Sequence, residues 1–424
     1  MREELSVRGT RDYYPELYWQ VNHIFNVWRE TALSYGFEEF ETPILETLEL
    51  YRIKSGDEIV NQLYSFRDKG GRELALRPEL TPSLARMVAK IQNEVAKPIK
   101  WFSIPRCMRY EKPQKGRLRE FFQFNVDIVG ESSLTADLEI ISLAVDSLVG
   151  LGLGKDDFIV KINSRDFVSG YFELLAIDGA KEKTLFKVID NARKVSRDIT
   201  LRTLEELQLS QEQMAGVESY LAIKDSEDLQ KLEVENEGKK SLLELFILIE
   251  ATGIADYCEF DPTIVRGLDY YTGIVFEIFD RSESMRAICG GGRYNNLLKE
   301  FSGVDIPACG FGMGDVVLGE ILAMKGLLPA YKKKLDYYLV RVSENELPLL
   351  LRVARCLRRK GFAVEFSYNL SSLKKQMARA SRSGAGKSLI FGEDEISKGK
   401  LVEKDLKTGE EVLVDIPLNE DSAR

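Results

Sequence analysis

A dense cluster of charged side chains occupies the segment CMRYEKPQKGRLREFFQFNVDIVG, residues 107–130. Period-two alternation places Arg109 and Glu111 on one face of the first of two predicted strands. The Pro/Gly loop between the strands carries four basic side chains: Lys112, Lys115, Arg117 and Arg119. Because like charges repel unless an anion lies between them, this loop favours a polyphosphate ligand. A solvated hairpin is the alternative, since charged loops are common.

The second predicted strand of this segment carries polar groups on one face only. Its apolar residues occupy alternate positions: Phe122, Phe124, Val126 and Ile128. The opposite face holds three polar side chains: Gln123, Asn125 and Asp127. Since side chains along a strand point alternately to its two faces, this pattern predicts a wet pocket or a solvent-facing surface.

A second cluster lies in RGLDYYTGIVFEIF, residues 266–279, where Arg266 and Asp269 precede two adjacent tyrosines. Glycines 290–292 in AICGGGRYNN would let a backbone approach a ligand closely, although tight turns explain them equally well. GAGKS lacks the first glycine of a P-loop, and GFGMGD has Asp315 where GxGxxG needs its last glycine. The sequence therefore contains neither a P-loop nor a Rossmann fingerprint.

The content of histidine and cysteine excludes several classes of site. His23 is the only histidine, so a Ser/His/Asp triad or a two-histidine metal site would depend on it. It lies beside the apolar face of a predicted helix, which favours a structural or surface role. The five cysteines are scattered without a CxxC pair, which argues against a zinc ribbon and favours a reducing compartment. We therefore predict no protein metal site, and catalytic charge from Arg, Lys, Asp and Glu.

The first 330 residues mix helical and strand patterns. A helix is predicted at about 16–35, and Thr81 is expected to N-cap a second helix with Pro82 as its first residue. Residues 165–250 are charged and helical in period, which predicts a helical insertion. Strand and glycine signals return at 264–314. No apolar run approaches the ~18 residues of a membrane span, and the charged start lacks a signal peptide, so a cytoplasmic protein is expected.

A basic α/β domain is predicted for residues 331–424. After the linker LLPAYKKK, five segments alternate as strand, helix, strand, helix and strand: LDYYLVRV, LPLLLRVARCLRRKG, FAVEFSY, SSLKKQMARASRSG and SLIFGE. This region has 19 basic and 14 acidic side chains, so it carries +5 of a total formal charge of −9 and leaves −14 for residues 1–330. A basic module on an acidic body suits attraction to a phosphate backbone, with a solvated helix face as the alternative.

Several of these segments resemble the class II histidyl-tRNA synthetases, and the match runs over nearly the whole chain. RGTRDYYP and GFEEFETPILE are similar to the amino-terminal and motif 1 segments, which build the dimer interface in that family. LRPELTPSLARM resembles the LRPE-x-T signature, and RYEKPQKGRLREFFQFNVD resembles motif 2. VRGLDYYTGIVFE and CGGGRYNNL are similar to the two histidine-specific motifs, which are more specific than motif 2. Residues 335–415 are similar to the anticodon-binding domain.

The resemblance implies an α+β class II catalytic core over residues 1–330, an antiparallel sheet flanked by helices, and an anticodon-binding domain over 331–424. It implies that the chain activates L-histidine with ATP and Mg²⁺ to histidyl-adenylate and transfers it to the 3′ end of tRNA(His). It also implies a homodimer without a membrane partner.

The resemblance further assigns roles to individual side chains. Seven residues are expected to bind histidine: Glu79, Thr81, Gln123, Asp127, Arg266, Tyr270 and Tyr271. Of these, Asp127 and Tyr271 would bind the imidazole, since a carboxylate can accept an N–H from the ring. Glu79 and Thr81 would hold the α-amino group.

The same comparison places three side chains on ATP: Arg109 on the α-phosphate, Glu111 on the adenine side and Arg117 on the outer phosphates. Arg266 would lie opposite Arg109, and these two would be the catalytic residues. Two cations at the α-phosphate would stabilise the charge that develops on phosphorus.

One departure from the family pattern concerns motif 3. That motif usually carries an arginine for the ATP γ-phosphate, whereas GFGMGDVVLGEIL places Val317 at this position. A neutral side chain cannot replace a guanidinium, so Arg117, another basic residue such as Arg119, or Mg²⁺ must take its place. The departure also leaves open a non-catalytic, synthetase-like regulatory subunit of histidine biosynthesis, although such regulators typically lack the C-terminal domain.

Overall fold

A computed structural model describes residues 5–52, 62–112, 114, 116–193, 195–267 and 270–418. The chain forms two compact units, Met1–Pro329 and Ala330–Arg424. Lys115 and Asp269, which belong to the clusters predicted above, lie outside the described residues. Among the helices that can be described, none is long and apolar enough to cross a lipid bilayer.

A large mixed sheet forms the centre of the first unit. The strands described in this unit are β1 Glu38–Glu39, β2 Leu45–Thr47, β3 Tyr64–Arg67, β4 Glu73–Leu76, β5 Ile99–Ser103, β6 Arg106–Met108, β7 Glu120–Val129, β8 Phe158–Ser164, β9 Cys258–Phe260, β10 Ile274–Asp280, β11 Cys289–Arg293 and β12 Ala308–Gly314. The sheet order is β1-β5-β7-β12-β11-β10-β8-β9, with β6 also paired to β7. Its pairs are antiparallel except β1 with β5 and β8 with β9. Strands β2, β4 and β3 form a small separate sheet.

Helices flank this sheet and form the predicted insertion. Those described in the first unit are α1 Pro15–Ser34, α2 Leu48–Arg52, α3 Thr81–Ile91, α4 Leu134–Val149, α5 Arg165–Leu174, α6 Glu182–Asn191, α7 Arg197–Glu206, α8 Gln211–Leu221, α9 Ser226–Lys231, α10 Glu237–Thr252, α11 Leu297–Ser302 and α12 Asp315–Met324. Helices α5 to α10 follow one another between β8 and β9, so a helical insertion is present where the periodicity predicted it.

The main core lies between the sheet and the helices α1 and α4. The buried residues of α1 recur at helical spacing: Val21, Ile24, Phe25, Trp28 and Ala32. Trp28 is fully buried and stacks on Phe124 of β7, with ring centroids 5.2 Å apart. A buried ion pair between Arg293 of β11 and Asp137 of α4 fixes the sheet to the helix layer. His23 lies on α1 beside this apolar face and is partly exposed.

Two predicted boundaries differ from the structure. The prediction that Thr81 caps α3 is wrong, because the helix begins at Thr81 and Leu80 occupies the cap position without a side-chain bond. The first strand of the charged hairpin is divided into β5 and β6 at Pro105, which has no N–H for a strand ladder. The Pro105 carbonyl instead accepts a hydrogen bond from the backbone N–H of Gln123 at 3.0 Å.

The second unit has the predicted alternation of strands and helices. Its elements are β13 Tyr337–Arg341, α13 Leu347–Arg359, β14 Val364–Phe366, α14 Leu373–Ser383, β15 Lys387–Phe391, α15 Glu393–Ser397, β16 Lys400–Asp405 and β17 Glu411–Asp415. Strands β14, β13 and β15 run parallel, and β16 and β17 extend the sheet as an antiparallel hairpin that the sequence did not predict. Helix α13 buries Leu350, Val353 and Leu357, which leaves its basic side chains exposed.

Candidate functional site

A cavity of about 880 Å³ opens in the first unit beside the central strands of the sheet. Five of the predicted site residues line it: Arg109, Glu111, Arg117, Gln123 and Arg266. The wall also includes Asp190 in α6, Arg193 just after that helix, and Val317 in the first turn of α12. The two arginines that the sequence assigns to one phosphate therefore lie on the wall of a single cavity.

The basic loop folds back as a hairpin on this cavity. Gln114 and Arg117 pair through two backbone hydrogen bonds, of 2.8 and 3.0 Å, around Gly116. Gly116 has a φ of 71°, which a residue with a Cβ adopts only under strain, so glycine suits this turn. Its N–H donates to the Glu320 carboxylate of α12 at 3.2 Å. Arg117 forms an ion pair with the buried Glu111, which offsets part of the loop's like-charge repulsion.

Arg109 follows directly after β6, so the prediction that it shares a strand face with Glu111 is wrong, because the strand ends at Met108. Backbone and aromatic contacts hold Arg109 in place. Its N–H donates to the Arg119 carbonyl at 2.8 Å, and its Nε donates to the Pro78 carbonyl at 3.0 Å. The guanidinium lies 5.1 Å from the centroid of the Phe121 ring on β7, in cation–π geometry. These contacts fix one side of the guanidinium and leave the cavity side available to an anion.

Arg266 reaches the cavity from a strained backbone. Its φ is 59°, in the left-handed region that non-glycine residues rarely adopt, a feature that clusters at functional sites. The guanidinium forms an ion pair with Glu277 of β10 and lies 5.5 Å from the centroid of the Tyr271 ring. Burial lowers the pKa of Arg266, but Tyr271 and Glu277 more than offset this effect, so the side chain stays charged.

Glycines on β11 and β12 make the space that these side chains occupy. A Cβ on Gly290 would lie within 3.0 Å of the Arg266 guanidinium. A Cβ on Gly310 would likewise lie within 3.0 Å of the Asp127 carboxylate, and a Cβ on Gly312 within 3.0 Å of the Gln123 amide. The register explains the proximity, since Gly290 pairs with Gly312 and Gly310 pairs with Asp127. Because Gly290, Gly310 and Gly312 have no side chains, polar side chains pack directly against the backbone there, and we call these three residues the glycine floor of the site.

The remaining predicted residues, Glu79, Thr81, Asp127, Tyr270 and Tyr271, do not line this cavity, and all but the half-buried Thr81 are buried. Tyr270 donates from its hydroxyl to Glu79 at 3.2 Å and packs on Tyr271 with ring centroids 4.9 Å apart. Its hydroxyl also interacts with the Thr81 side chain. Burial, followed by the Glu79 charge, holds the pKa of Tyr270 well above its ordinary value, so the hydroxyl remains a donor.

Asp127 of β7 is 4% exposed and accepts a hydrogen bond from the hydroxyl of Tyr294. Burial raises the pKa of Asp127 from 3.8 to about 7, although the bond from Tyr294 opposes that shift. A carboxyl group with this pKa changes between donor and acceptor within the physiological range. It could therefore recognise a group that itself titrates near neutrality.

Sequence reasoning missed two residues of the site. Tyr294 was not assigned a role although it stands in the CGGGRYNNL segment, and its ring lies 5.9 Å from that of Tyr270. Glu277, the partner of Arg266, is the one charged residue among the first six residues of β10, IVFEIF. A charge inside an otherwise apolar strand was the available signal for it.

The chain matches two family models. Residues 9–314 match the model described as Histidyl-tRNA synthetase, and residues 336–420 match the model described as Anticodon binding domain. A histidine–tRNA ligase of Opitutus terrae is 41% identical over 427 residues, which cover 97% of this chain and 95% of that relative. One of Thermoplasma volcanium is 40% identical, with coverage of 96% and 95%.

Solved structures show the same architecture. A histidyl-tRNA synthetase from Nostoc superposes with a TM-score of 0.79 at 27% identity, covering 99% of this chain and 98% of its own. A Bacillus halodurans structure, titled an ATP phosphoribosyltransferase regulatory subunit/histidyl-tRNA synthetase, has a TM-score of 0.76 at 23% identity, with coverage of 92% and 98%. The latter similarity concerns the fold alone.

Titration of Asp127 makes a testable contribution to stability. Between pH 4 and 7 the folded chain holds a proton that the unfolded chain has released, because the native pKa is raised to about 7. The free energy of unfolding should therefore fall as the pH rises through this interval. Asp127→Asn removes the titration, so the difference between wild type and variant should change by about 2 kcal/mol between pH 5 and 7.5.

Urea unfolding at several pH values would measure this difference. Asp305→Asn is a matched control, because the Asp305 side chain is 66% exposed and its curve should run parallel to wild type. Parallel curves for Asp127→Asn and wild type would show that Asp127 does not titrate in this interval.

Proposed function

This chain belongs to the histidyl-tRNA synthetase family and is an aminoacyl-tRNA ligase, and from that premise we propose how its own residues divide the reaction. The carboxylate of histidine attacks the α-phosphorus of ATP, the bond to the β-phosphate breaks, and pyrophosphate leaves. The 3′-hydroxyl of the terminal adenosine of tRNA then attacks the acyl carbon, and AMP leaves. The observation that carries this proposal is the presence of Arg109 and Arg266 on one cavity wall.

Arg109 and Arg266 would act as the catalytic pair on the α-phosphate. Both guanidiniums are fixed by the contacts described above before any substrate arrives, so little reorganisation is needed during the reaction. Preorganised cations stabilise the additional negative charge that develops on the phosphoryl oxygens. Glu111 would lie on the adenine side and Arg117 beside the outer phosphates, consistent with their ion pair on the same wall.

The polar group beneath the cavity would hold histidine. Glu79, Thr81 and Gln123 would bind the ammonium group, and Asp127 and Tyr271 would bind the imidazole, with Tyr270 completing the pocket and Arg266 alongside. Because buried polar groups are left unpaired by an apolar isostere, such a pocket rejects side chains without ring nitrogens. To the residues predicted from the sequence we add Tyr294, since its bond to Asp127 orients that carboxyl group.

Mg²⁺ would enter as the Mg²⁺–ATP complex. In the described part of the chain there is no cluster of three or more side chains suited to bind a metal ion by themselves. Mg²⁺ usually keeps several waters and binds through one or two carboxylates together with substrate phosphates. Four carboxylates line the cavity, Glu111, Asp190, Glu277 and Glu283, and we assign this role to Glu111 and Glu277, which lie next to Arg117 and Arg266.

We assign residues 1–330 to the catalytic core and 331–424 to anticodon binding. The exposed basic residues of α13 and α14 would attract the phosphate backbone of tRNA(His), and the hairpin around Gly116 would meet its acceptor end. We place the protein in the cytoplasm, because its five cysteines are all free. Cell fractionation would test that location.

The alternative is a non-catalytic regulatory subunit that keeps the fold. Val317 favours it, because this residue cannot bind a phosphate. The second unit argues against it, since it supplies an anticodon-binding module that a regulator of this type does not need.

Histidine-dependent exchange of labelled pyrophosphate into ATP is the direct test of the proposed activity. Arg266→Ala should reduce this exchange at least about 100-fold, the usual effect of losing one preorganised contact. Gly290→Ala should give a similar loss, because the added Cβ would displace the guanidinium. Arg281→Ala is the control, since its guanidinium bonds outside the cavity to the carbonyls of Lys155 and Asp256.

No exchange by folded wild-type protein would favour the regulatory subunit. Near-normal exchange by Arg266→Ala would refute the role given to that residue.

Charge on the exposed face of α13 and at Lys360, which directly follows the helix, should govern tRNA affinity without affecting the adenylate step. Replacing Arg352, Arg355 and Lys360 by Gln should weaken tRNA charging. The slope of log affinity for tRNA against log salt concentration should become shallower by about two, because each phosphate contact contributes about 0.7–0.9. Pyrophosphate exchange should stay at the wild-type rate. The control variant replaces Lys398, Lys404 and Lys407 by Gln. It removes three positive charges from another part of the second unit and should charge tRNA as well as the wild type does. Loss of exchange in the first variant would contradict the division of labour.

We propose a homodimer in which the start of α1 contributes to the interface. Its large side chains are unusually exposed: Tyr14 74%, Leu17 37%, Tyr18 47% and Trp19 46%. Contiguous exposed apolar groups mark interaction surfaces, and the family uses the adjoining segment for this purpose. Tyr14→Asp combined with Tyr18→Asp should shift sedimentation velocity towards monomer, whereas Leu413→Asp, at a 62% exposed site in the second unit, should not. A wild-type monomer at micromolar concentration would contradict the proposal.

A further inference from the structure

Five arginines line the cavity, and they differ in how they are held. Arg117 pairs with Glu111, and Arg266 pairs with Glu277. Arg193 is bonded to Glu283 and Asp261, at 2.6 and 2.9 Å. Arg109 is fixed by the Pro78 carbonyl and the Phe121 ring. Arg286, in the turn between β10 and β11, is exposed on the wall and forms no hydrogen bond or ion pair with any residue that the structure describes.

The turn that carries Arg286 is nevertheless firmly anchored. Asp280, 7% exposed at the end of β10, accepts hydrogen bonds from the hydroxyls of Ser282 and Ser284 and from the N–H of Met285 at 3.2 Å. Glu283 in the same turn is bonded to Lys161 at 2.6 Å and to Arg193. On the other side, the Ile288 N–H donates to the Ile278 carbonyl at 2.7 Å. Arg286 is thus an exposed cation on a turn that other residues hold in place.

Val317 is a neutral residue of the cavity wall, at the position where the family pattern has an arginine for the outer phosphates of ATP. Val317 lies under the tip of the basic hairpin, so that a Cβ on Gly116 would lie 3.2 Å from its side chain. A methyl group can pack against a base but cannot bind a phosphate. The β- and γ-phosphates carry most of the negative charge of ATP. Arg117 is not sufficient to balance that charge, because its own charge is partly neutralised by the ion pair with Glu111.

We propose that Arg286 binds the terminal phosphate of ATP, and the same group in departing pyrophosphate, and so replaces the guanidinium that is missing at position 317. The proposal rests on the proposed use of ATP by this cavity. Its physical basis is that Arg286 has no hydrogen-bond or ion-pair partner among the described residues, so an anion does not have to displace such a partner to form a charge-assisted contact with it.

Calorimetric titration of the full chain with ATP, pyrophosphate and AMP separates the phosphates from the nucleoside. Arg286→Ala should weaken ATP and pyrophosphate binding by about 10- to 100-fold, the range for one charge-assisted contact. AMP lacks the outer phosphates, so its affinity should stay within about twofold. Arg286→Lys keeps the charge but loses the bidentate geometry of the guanidinium, so its affinities for ATP and pyrophosphate should lie between those of the wild type and Arg286→Ala. In pyrophosphate exchange, KM for ATP should rise while KM for histidine is unchanged.

Arg281→Ala is the matched control, because Arg281 belongs to the same turn but bonds away from the cavity. Equal affinities for wild type and Arg286→Ala would overturn the proposal, and so would an equal loss for ATP and AMP, which would indicate contact with the nucleoside or a disturbed fold. Val317→Arg in the Arg286→Ala background should restore part of the ATP affinity, and no recovery would refute the claim that Arg286 replaces a guanidinium missing at position 317. Wild-type exchange tests the proposed function separately, since it does not involve any variant.

Discussion

The site depends on the absence of Cβ atoms in the middle of the sheet. Three glycines lie where a side chain would displace a functional group: Gly290 against Arg266, Gly310 against Asp127 and Gly312 against Gln123. Strands β11 and β12 are central in the sheet, where large side chains normally fill the core. Glycine there weakens the packing of those strands, since it contributes no side chain and gains backbone entropy when the chain unfolds. The fold accepts that cost, and polar side chains approach the backbone within van der Waals distance.

Acidic residues hold most of the cations around this floor. Glu111, Glu277 and Glu283 each contact an arginine of the wall. Without such partners, several guanidiniums around a partly buried cavity would repel one another and destabilise the fold. Each ion pair keeps its arginine charged and oriented. The electrostatic field in the cavity therefore comes mainly from a few ion pairs with fixed geometry. A substrate anion then competes with carboxylates for cations that are already in position, which limits the reorganisation needed in the reaction.

Local patterns predicted the elements well, and contacts between distant segments escaped them. The alternation along β7 separated its apolar face, with Phe124 and Val126, from its polar face, where Gln123 lines the cavity and Asp127 is buried. Tyr294 was missed because its partner, Asp127, is distant in the sequence, and Glu277 was missed because its contact with Arg266 depends on how the chain folds between them. Thr81 was misplaced as a cap because local sequence gave no sign that its hydroxyl lies near Tyr270. The hairpin of β16 and β17 lacked a strong apolar period, since most of its residues are exposed or half-buried.

The order of strands has a consequence for how the chain is made. Strand β7 lies beside β12, yet Glu120–Val129 and Ala308–Gly314 are separated in the chain by the insertion and four further strands, β8 to β11. On the ribosome, one edge of β7 must wait unpaired until nearly the whole first unit has been synthesised, and unpaired edges are sites of aggregation. Nascent chains that stop within the insertion would carry half a sheet and no glycine floor, so they would be substrates for chaperones before they could bind any nucleotide.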